Sequence, residues 1–133
     1  MIVETSALMA IALGEPERQA FLERIAEASR PMILATSVLE AVLAVCRRKG
    51  IRPREAYEII VELAEELRIS IVGFYPDMLP LAIDARRRYG SGTNRLNMGE
   101  CLAYAAARHY RAELLYKGDD FALTDVNAHV GRG

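Results

Sequence analysis

Tryptophan is absent from the sequence, and cysteine occurs only twice, at Cys46 and Cys101. Both cysteines fall in helical patterns without another Cys or a His at zinc-ligand spacing, so no zinc site is expected. The pattern does not exclude a disulfide, although two buried thiols suit a reducing compartment better. The GxxxxGK[ST] loop that cradles nucleotide phosphates is also missing, which leaves a phosphohydrolase of that type without support.

The sequence also lacks a long apolar run and an excess of positive charge. No stretch approaches the length of a membrane span, and the N-terminus has no basic-then-apolar signal pattern, so we expect a cytoplasmic protein with no membrane partner. The net charge of −1 argues against general electrostatic attraction to nucleic acid. An anionic substrate would therefore need a local basic patch or a bound metal.

What the chain does have is enough apolar material for one core: 52% of its 133 residues are hydrophobic. We expect a single domain over residues 1–133. Four apolar runs predict buried strands at 1–4, 31–35, 69–73 and 113–116, and residues 126–130 form a candidate edge strand. Helical patterns alternate with these runs, which predicts a three-layer α/β/α fold around a mainly parallel sheet of four or five strands.

Four acidic residues fall at the ends of predicted strands or in the first turns of predicted helices: Glu4, Glu40, Glu100 and Asp119. In an open parallel sheet these places share one rim, outside the carboxyl ends of the strands, where such folds bind ligands. Carboxylates that crowd together repel one another unless a cation lies between them. Oxygen-only ligands suit Mg²⁺ or Mn²⁺. The sequence therefore predicts a metal-dependent hydrolase.

Two of these glutamates have a structural alternative. Ser37 and Glu40 have the spacing of a capping box, in which the helix-capping residue and the third helical residue exchange hydrogen bonds. Asn97 and Glu100 have the same spacing. On local pattern alone, capping and metal binding compete for each carboxylate.

The last acidic position has a neighbour of the same type. Asp119 lies nearer the predicted strand end than Asp120 and is the preferred ligand, although a generic turn rich in Gly and Asp looks alike. Among the basic residues, Arg95 and Lys117 stand close to proposed acidic positions. They are candidate contacts for substrate phosphates.

Over its whole length the chain resembles a PIN domain, and specifically the ribonuclease toxins of VapBC toxin–antitoxin pairs. The resemblance rests on MIVETSALMAIALGEPE, ILATSVLEAVLA, RLNMGECLAYAAAR and LLYKGDDFALTDV. It implies a divalent-metal-dependent endoribonuclease that works with Mg²⁺ or Mn²⁺. It also implies an RNA substrate (with transfer RNA as the family-based guess), a homodimer, and a cognate antitoxin that inserts a chain segment into the acidic pocket.

By the resemblance, Glu4, Glu100 and Asp119 hold the metal, Glu40 holds or deprotonates a water, and Ser6 orients Glu4. Two positions depart from the family pattern, since Glu4 and Glu100 stand where the family has Asp. Each change adds one methylene and pushes the carboxylate outward by roughly 1.5 Å. The competing hypothesis is therefore a catalytically weakened PIN-like module that still binds RNA or an antitoxin.

Overall fold

The structure is a computed structural model that describes residues 1–92, 95–122, 124–125 and 128–131. Each of the first three strands is followed by a pair of helices, with a short 3₁₀ turn at Pro76–Met78 before the third pair, and the last two strands follow one another. The elements are β1 (Ile2–Val3), α1 (Thr5–Ala12), α2 (Arg18–Glu27), β2 (Met32–Leu34), α3 (Ala35–Lys49), α4 (Pro53–Glu66), β3 (Ser70–Val72), α5 (Leu79–Tyr89), α6 (Met98–Tyr110), β4 (Leu114–Lys117) and β5 (Ala128–Gly131).

The five strands form one parallel sheet in the order β3-β2-β1-β4-β5. The prediction of a parallel α/β sheet is confirmed, and the fifth strand lies at the edge. Residues 126 and 127 of the predicted edge strand lie outside the described part of the chain. Because β1 is flanked by β2 and β4, the acid that follows it emerges from the centre of the sheet.

Alternate residues of the central strands pack on opposite faces of the sheet, as the two-residue period of a strand requires. Val3, Ile33 and Leu115 pack with helices α1 to α4 on one face. Ile2 and Leu114 pack with α5 and α6 on the other face. These two apolar clusters give the predicted three-layer arrangement, with the sheet between two helical layers.

Helix α3 begins earlier than its sequence indicates. Thr36 and Ser37 are predicted as its start, but the helix begins at Ala35 and follows β2 without a loop, with Leu34 in the capping position. It ends at Gly50, which adopts the left-handed conformation that glycine favours (φ 65°). The early start places the Glu40 side chain in the second turn of α3.

Two expectations from composition can be compared with the structure. Cys46 and Cys101 are free thiols, and Cys101 is buried. Among the described residues, no helix has the length and apolar character needed to cross a membrane.

Candidate active site

The carboxyl ends of β1, β2 and β4 and the first turn of α6 meet at one rim of the sheet. Glu4 follows β1, Glu40 lies on α3 directly after β2, Glu100 lies in the first turn of α6, and Asp120 lies two residues after Gly118, in the turn after β4. Glu4 interacts electrostatically with Glu40 and with Asp120, and Glu100 interacts with Glu4 and Asp120. The topology therefore gathers four carboxylates that are far apart in sequence.

Glu4 is held by the helix that it caps. Its Oε2 accepts hydrogen bonds from the backbone N–H of Ser6, at 2.8 Å, and from the Ser6 hydroxyl. The Ser6 hydroxyl oxygen in turn accepts the backbone N–H of Lys117, at 2.9 Å. Ser6 therefore holds the Glu4 carboxylate and joins the end of β1 to the end of β4.

Glu40 does not form the capping box predicted with Ser37, so that alternative is wrong. Because α3 already begins at Ala35, Ser37 lies inside its first turn and not at its cap. The Glu40 carboxylate instead accepts a hydrogen bond from the Thr5 hydroxyl at 3.2 Å, which turns it toward the rim.

Gly99 makes room for the Glu40 carboxylate. A Cβ atom built at Gly99 would lie 2.6 Å from the Glu40 carboxyl carbon, well inside van der Waals contact. Glycine at this place in a helix costs about 1 kcal/mol relative to alanine. The close approach of Glu40 gives that glycine a structural reason.

The second predicted capping box is present. Glu100 Oε1 accepts the backbone N–H of Asn97 at 2.9 Å, and the Asn97 side-chain oxygen accepts the N–H of Glu100 at 2.8 Å. Glu100 also faces Asp120, and it is only 8% exposed. The same carboxylate therefore caps α6 and belongs to the acidic cluster.

Asp120, and not Asp119, makes the contacts with the cluster. The structure brings the Asp120 side chain against Glu100 and close to Glu4, whereas the Asp119 carbonyl accepts the N–H of Ala122 at 3.0 Å in the turn that follows. Gly118, with φ 98°, turns the chain after β4, and Asp120, although exposed, is the residue of this turn whose side chain reaches Glu100. The preference for Asp119 as ligand is thus not supported by the geometry.

Burial dominates the electrostatics of the cluster. It raises the pKa of Glu4, against the hydrogen bonds from Ser6, and the charges of Glu40 and Asp120 raise it further. Burial also raises the pKa of Glu100 to about 8, together with its contact to Asp120. The pKa of Glu40 is raised by burial as well, against the hydrogen bond from Thr5. The cluster therefore favours bound protons, or a cation in their place, over a set of fully ionised carboxylates.

The donor set fits a hard divalent cation, since it consists of carboxylate oxygens whose charges a cation would compensate. In the part of the chain that the structure describes, no three or more His, Cys, Asp or Glu side chains are arranged to hold a metal. Glu4 and Glu100 are turned onto backbone N–H groups instead. One oxygen of each carboxylate is engaged in this way, so a cation would bind the other oxygen or displace the N–H.

The raised pKa values predict how stability depends on pH. The folded chain binds more protons than the unfolded chain between the ordinary Glu pKa of 4.5 and about 8, so the free energy of unfolding should fall as pH rises through this window. Mn²⁺ at about 100 times its Kd should raise Tm by about 10 °C. One fixed Mn²⁺ concentration should raise Tm by more at pH 8 than at pH 5, because protons compete with the cation at pH 5. Differential scanning calorimetry across pH measures both effects.

The control for this experiment is Glu100→Gln, because an amide oxygen can still accept the Asn97 N–H while the titrating group is removed. This variant should show a flatter dependence of Tm on pH and a smaller response to Mn²⁺. A native Tm that responds neither to pH between 5 and 8 nor to Mn²⁺ would contradict a preformed acidic site.

The two candidate phosphate contacts differ in the structure. The Lys117 ammonium pairs with Glu17 at 2.9 Å and with Glu15 at 3.2 Å, so it joins β4 to the turn between α1 and α2. This geometry does not favour a contact with substrate. Arg95 is exposed and borders a cavity of about 520 Å³ beside the first turn of α6, where it remains available to an anionic ligand.

Three residues of the site were not selected from the sequence: Thr5, Gly99 and Asp120. A glycine early in an otherwise strong helical pattern indicates that another group approaches the helix closely. This signal was present at Gly99 and could have identified it. Thr5 carried no comparable signal, because its partner Glu40 is 35 residues away.

Comparison with known proteins agrees with this fold. The sequence profile of the PIN domain matches residues 1–127. The chain therefore belongs to the PIN domain family.

The relatives within this family are named as nucleases of one type. The chain is 34% identical over 129 residues to ribonuclease VapC36 of Mycobacterium tuberculosis, covering 95% of this chain and 91% of that protein. It is 33% identical over 130 residues to the VapC ribonuclease of Mycolicibacterium smegmatis, covering 96% and 98% of the two chains.

A solved structure shows the same fold at lower identity. M. tuberculosis VapC20, described as a toxin that cleaves the sarcin–ricin loop, superimposes with a TM-score of 0.73 at 16% identity over 95% of this chain and 96% of its own. At this identity the similarity concerns the fold.

Proposed function

We propose that the chain is a divalent-metal-dependent endoribonuclease of the VapC type, the toxin of a toxin–antitoxin pair, with residues 1–133 acting as one PIN-like domain. The convergence of Glu4, Glu40, Glu100 and Asp120 at one rim carries this proposal. Membership of the PIN family and the nuclease names of relatives at 33–34% identity support it.

The acidic residues divide into two roles. Glu4, Glu100 and Asp120 are the proposed ligands of the cation, with Mg²⁺ or Mn²⁺ as the ion. Glu40, held by Thr5, is placed to accept a proton from the attacking water or to fix that water in position. When bound, a divalent ion lowers the pKa of water, polarises the phosphate and stabilises the leaving oxygen.

Ser6 and Arg95 support these residues in the proposed reaction. Ser6 fixes the Glu4 carboxylate through its hydroxyl and backbone N–H. Arg95 is free to meet an RNA phosphate beside the first turn of α6, and this local charge offsets the acidic character of the rim. The substrate is single-stranded or loop RNA, with transfer RNA as the first candidate.

The proposed partners are a VapB-type antitoxin and a second copy of the chain. A structure described as a toxin–antitoxin complex from Klebsiella pneumoniae supports the first partner, with a TM-score of 0.73 at 18% identity over 98% of this chain and 97% of that one. Several large apolar side chains are exposed and suit protein interfaces: Leu39, Leu43, Tyr57, Ile71, Tyr75, Leu79, Ile83 and Met98. The proposed location of the protein is the cytoplasm, where it would meet both RNA and the antitoxin.

A second candidate function is favoured by a specific observation. The carboxylates of Glu4 and Glu100, the two positions that depart from the family pattern, are both hydrogen-bonded to backbone N–H groups. If these bonds persist, the chain binds RNA or the antitoxin without cleaving RNA efficiently. Measurement of cleavage distinguishes the two candidates.

The test is cleavage of structured RNA by the purified chain with Mn²⁺ or Mg²⁺, compared with Gly99→Ala. The native chain should cleave, and EDTA should stop it. The alanine Cβ displaces the Glu40 carboxylate, so cleavage should fall at least about tenfold, as for misplaced catalytic groups. The Tm should not fall, because alanine favours a helix over glycine by about 1 kcal/mol.

Two controls complete this test. Glu40→Gln in the same assay shows the effect of removing the carboxylate without crowding it. Native RNA cleavage that is equally fast in EDTA would overturn metal dependence, and RNA binding without cleavage under any metal would establish the second candidate function.

A further inference from the structure

A second network of charged and aromatic side chains lies along the same segment that carries Asp120. Asp125 Oδ1 accepts the Tyr104 hydroxyl at 2.6 Å and the Tyr89 hydroxyl at 3.3 Å. Its Oδ2 accepts Arg108 at 2.7 Å and Arg88 at 3.2 Å. One carboxylate therefore joins the segment after β4 to helices α5 and α6 through four donors.

This network is more than an exposed ion pair. Tyr104 is fully buried, its ring packs edge-on against Tyr89, and its hydroxyl also accepts Arg108 at 2.8 Å. Burial and the Asp125 carboxylate raise the pKa of Tyr104 to about 12, so its hydroxyl remains a donor. Networks that share a buried member hold their geometry better than isolated surface pairs.

The network around Asp125 lies close to the acidic cluster on the same helix. Glu100 and Tyr104 are four residues apart on α6, so they lie on one face, one turn from each other. Asp120 meets Glu100 and Asp125 meets Tyr104. The segment after β4 thus contacts α6 at two points along the same face.

The two contacts differ in charge. The first joins the side chains of two acidic residues, Asp120 and Glu100. At the second, Asp125 is attracted by two guanidinium groups and two hydroxyl donors. Between them, the buried ring of Phe121 packs against Tyr116. The Asp125 network is therefore the charge-compensated attachment of this segment to α5 and α6, and the pair of acids at Asp120 has no such compensation.

We infer that Asp125 is a positioning residue that holds Asp120 beside Glu100 and Glu4 before a cation binds. This inference rests on the proposed function, because the expected effect of Asp125 is on the affinity for the metal, exerted through Asp120. Asp125 itself touches neither the acidic cluster nor the proposed cation site.

The test compares Asp125→Asn with Asp84→Asn. Asparagine has nearly the shape of aspartate but no charge, so the two ion pairs are lost. Asp84 lies on α5 and also pairs with Arg88, at 3.7 Å, and with Arg87, at 2.7 Å, so its variant removes ion pairs from α5 without a direct contact to the segment. Tyr104→Phe removes one hydrogen-bond donor to Asp125 and keeps the aromatic ring. It is the second test variant if Asp125→Asn fails to fold.

Two measurements are made on each folded variant: the Kd for Mn²⁺ by titration calorimetry, and hydrogen exchange of the Ala122 amide, which is bonded to the Asp119 carbonyl. Asp125→Asn should weaken Mn²⁺ binding at least about tenfold, as for residues that orient metal ligands, and should speed the exchange. High Mn²⁺ should restore its RNA cleavage. Tyr104→Phe should show a smaller effect in the same direction, and Asp84→Asn should match the native chain.

An Mn²⁺ affinity and an Ala122 exchange rate that stay at native values in Asp125→Asn overturn the inference. Loss of cleavage that high Mn²⁺ does not restore also overturns it, because the defect then lies elsewhere than in metal affinity. A native chain that binds no Mn²⁺ overturns the proposed metal site itself. In that case, unchanged exchange in Asp125→Asn still rejects the anchoring role and faster exchange still supports it.

Discussion

Replacing Glu40 by Gln or Asp120 by Asn should lower metal-dependent RNA cleavage at least about 100-fold, which corresponds to roughly 2.7 kcal/mol of transition-state stabilisation. Each substitution keeps the side-chain volume and removes a charge from the rim. Glu40 loses its capacity to take a proton, and Asp120 loses its charge toward the cation. Initial rates of cleavage at saturating Mn²⁺, measured with one structured RNA, give the comparison.

The matched control is Asp119→Asn, one residue before Asp120. Asp119 contributes a backbone carbonyl to the turn, and a side-chain amide leaves that contact in place, so cleavage should stay close to the native rate. If Asp119→Asn abolishes cleavage and Asp120→Asn does not, the assignment of the ligand to Asp120 is wrong. Thermal melting of each variant shows whether a loss comes from unfolding.

Restoring the shorter side chain at both departing positions, as Glu4→Asp with Glu100→Asp, should raise Mg²⁺-dependent cleavage by about 10- to 100-fold, the effect expected when reacting groups move by roughly 1 Å. The aspartate at position 100 is too short to reach the Asn97 N–H as Glu100 does, so its carboxylate is released toward the cation. Aspartate at position 4 remains a good cap for α1.

Comparing Mg²⁺ with Mn²⁺ tests whether the positions of the Glu4 and Glu100 carboxylates limit the rate of cleavage. Mg²⁺ requires nearly ideal octahedral geometry at about 2.0–2.1 Å, so the native chain should work better with Mn²⁺, and the double variant should narrow that difference. Because both side chains serve one ion, the two single replacements should not be additive. A native chain that already cleaves equally well with Mg²⁺, and a double variant that does not improve it, would contradict this explanation.

Much of the fold was predictable because its signals are local. The apolar runs at 31–35 and 113–116 correspond to strands β2 and β4, and α3 ends at Gly50, a residue type that favours helix ends. The gathering of Glu4, Glu40 and Glu100 was also predictable, since parallel strands bring their carboxyl ends to one rim.

The remaining features depend on contacts that sequence spacing does not express. Whether the Asp119 or the Asp120 side chain reaches Glu100 depends on the turn at Gly118. The failure of the Ser37 capping box follows from the absence of a loop between β2 and α3. The ion pairs of Lys117 with Glu15 and Glu17 join segments about 100 residues apart. The sequence around Lys117 therefore did not indicate that its ammonium group is already paired.

The most direct test is anomalous diffraction from crystals grown with Mn²⁺ at a concentration that supports RNA cleavage. A manganese peak surrounded by the carboxylates of Glu4, Glu40, Glu100 and Asp120 is the predicted result, with Glu100 turned away from the Asn97 N–H. An empty rim, or a peak only at other carboxylates of the chain, would contradict the proposed metal site.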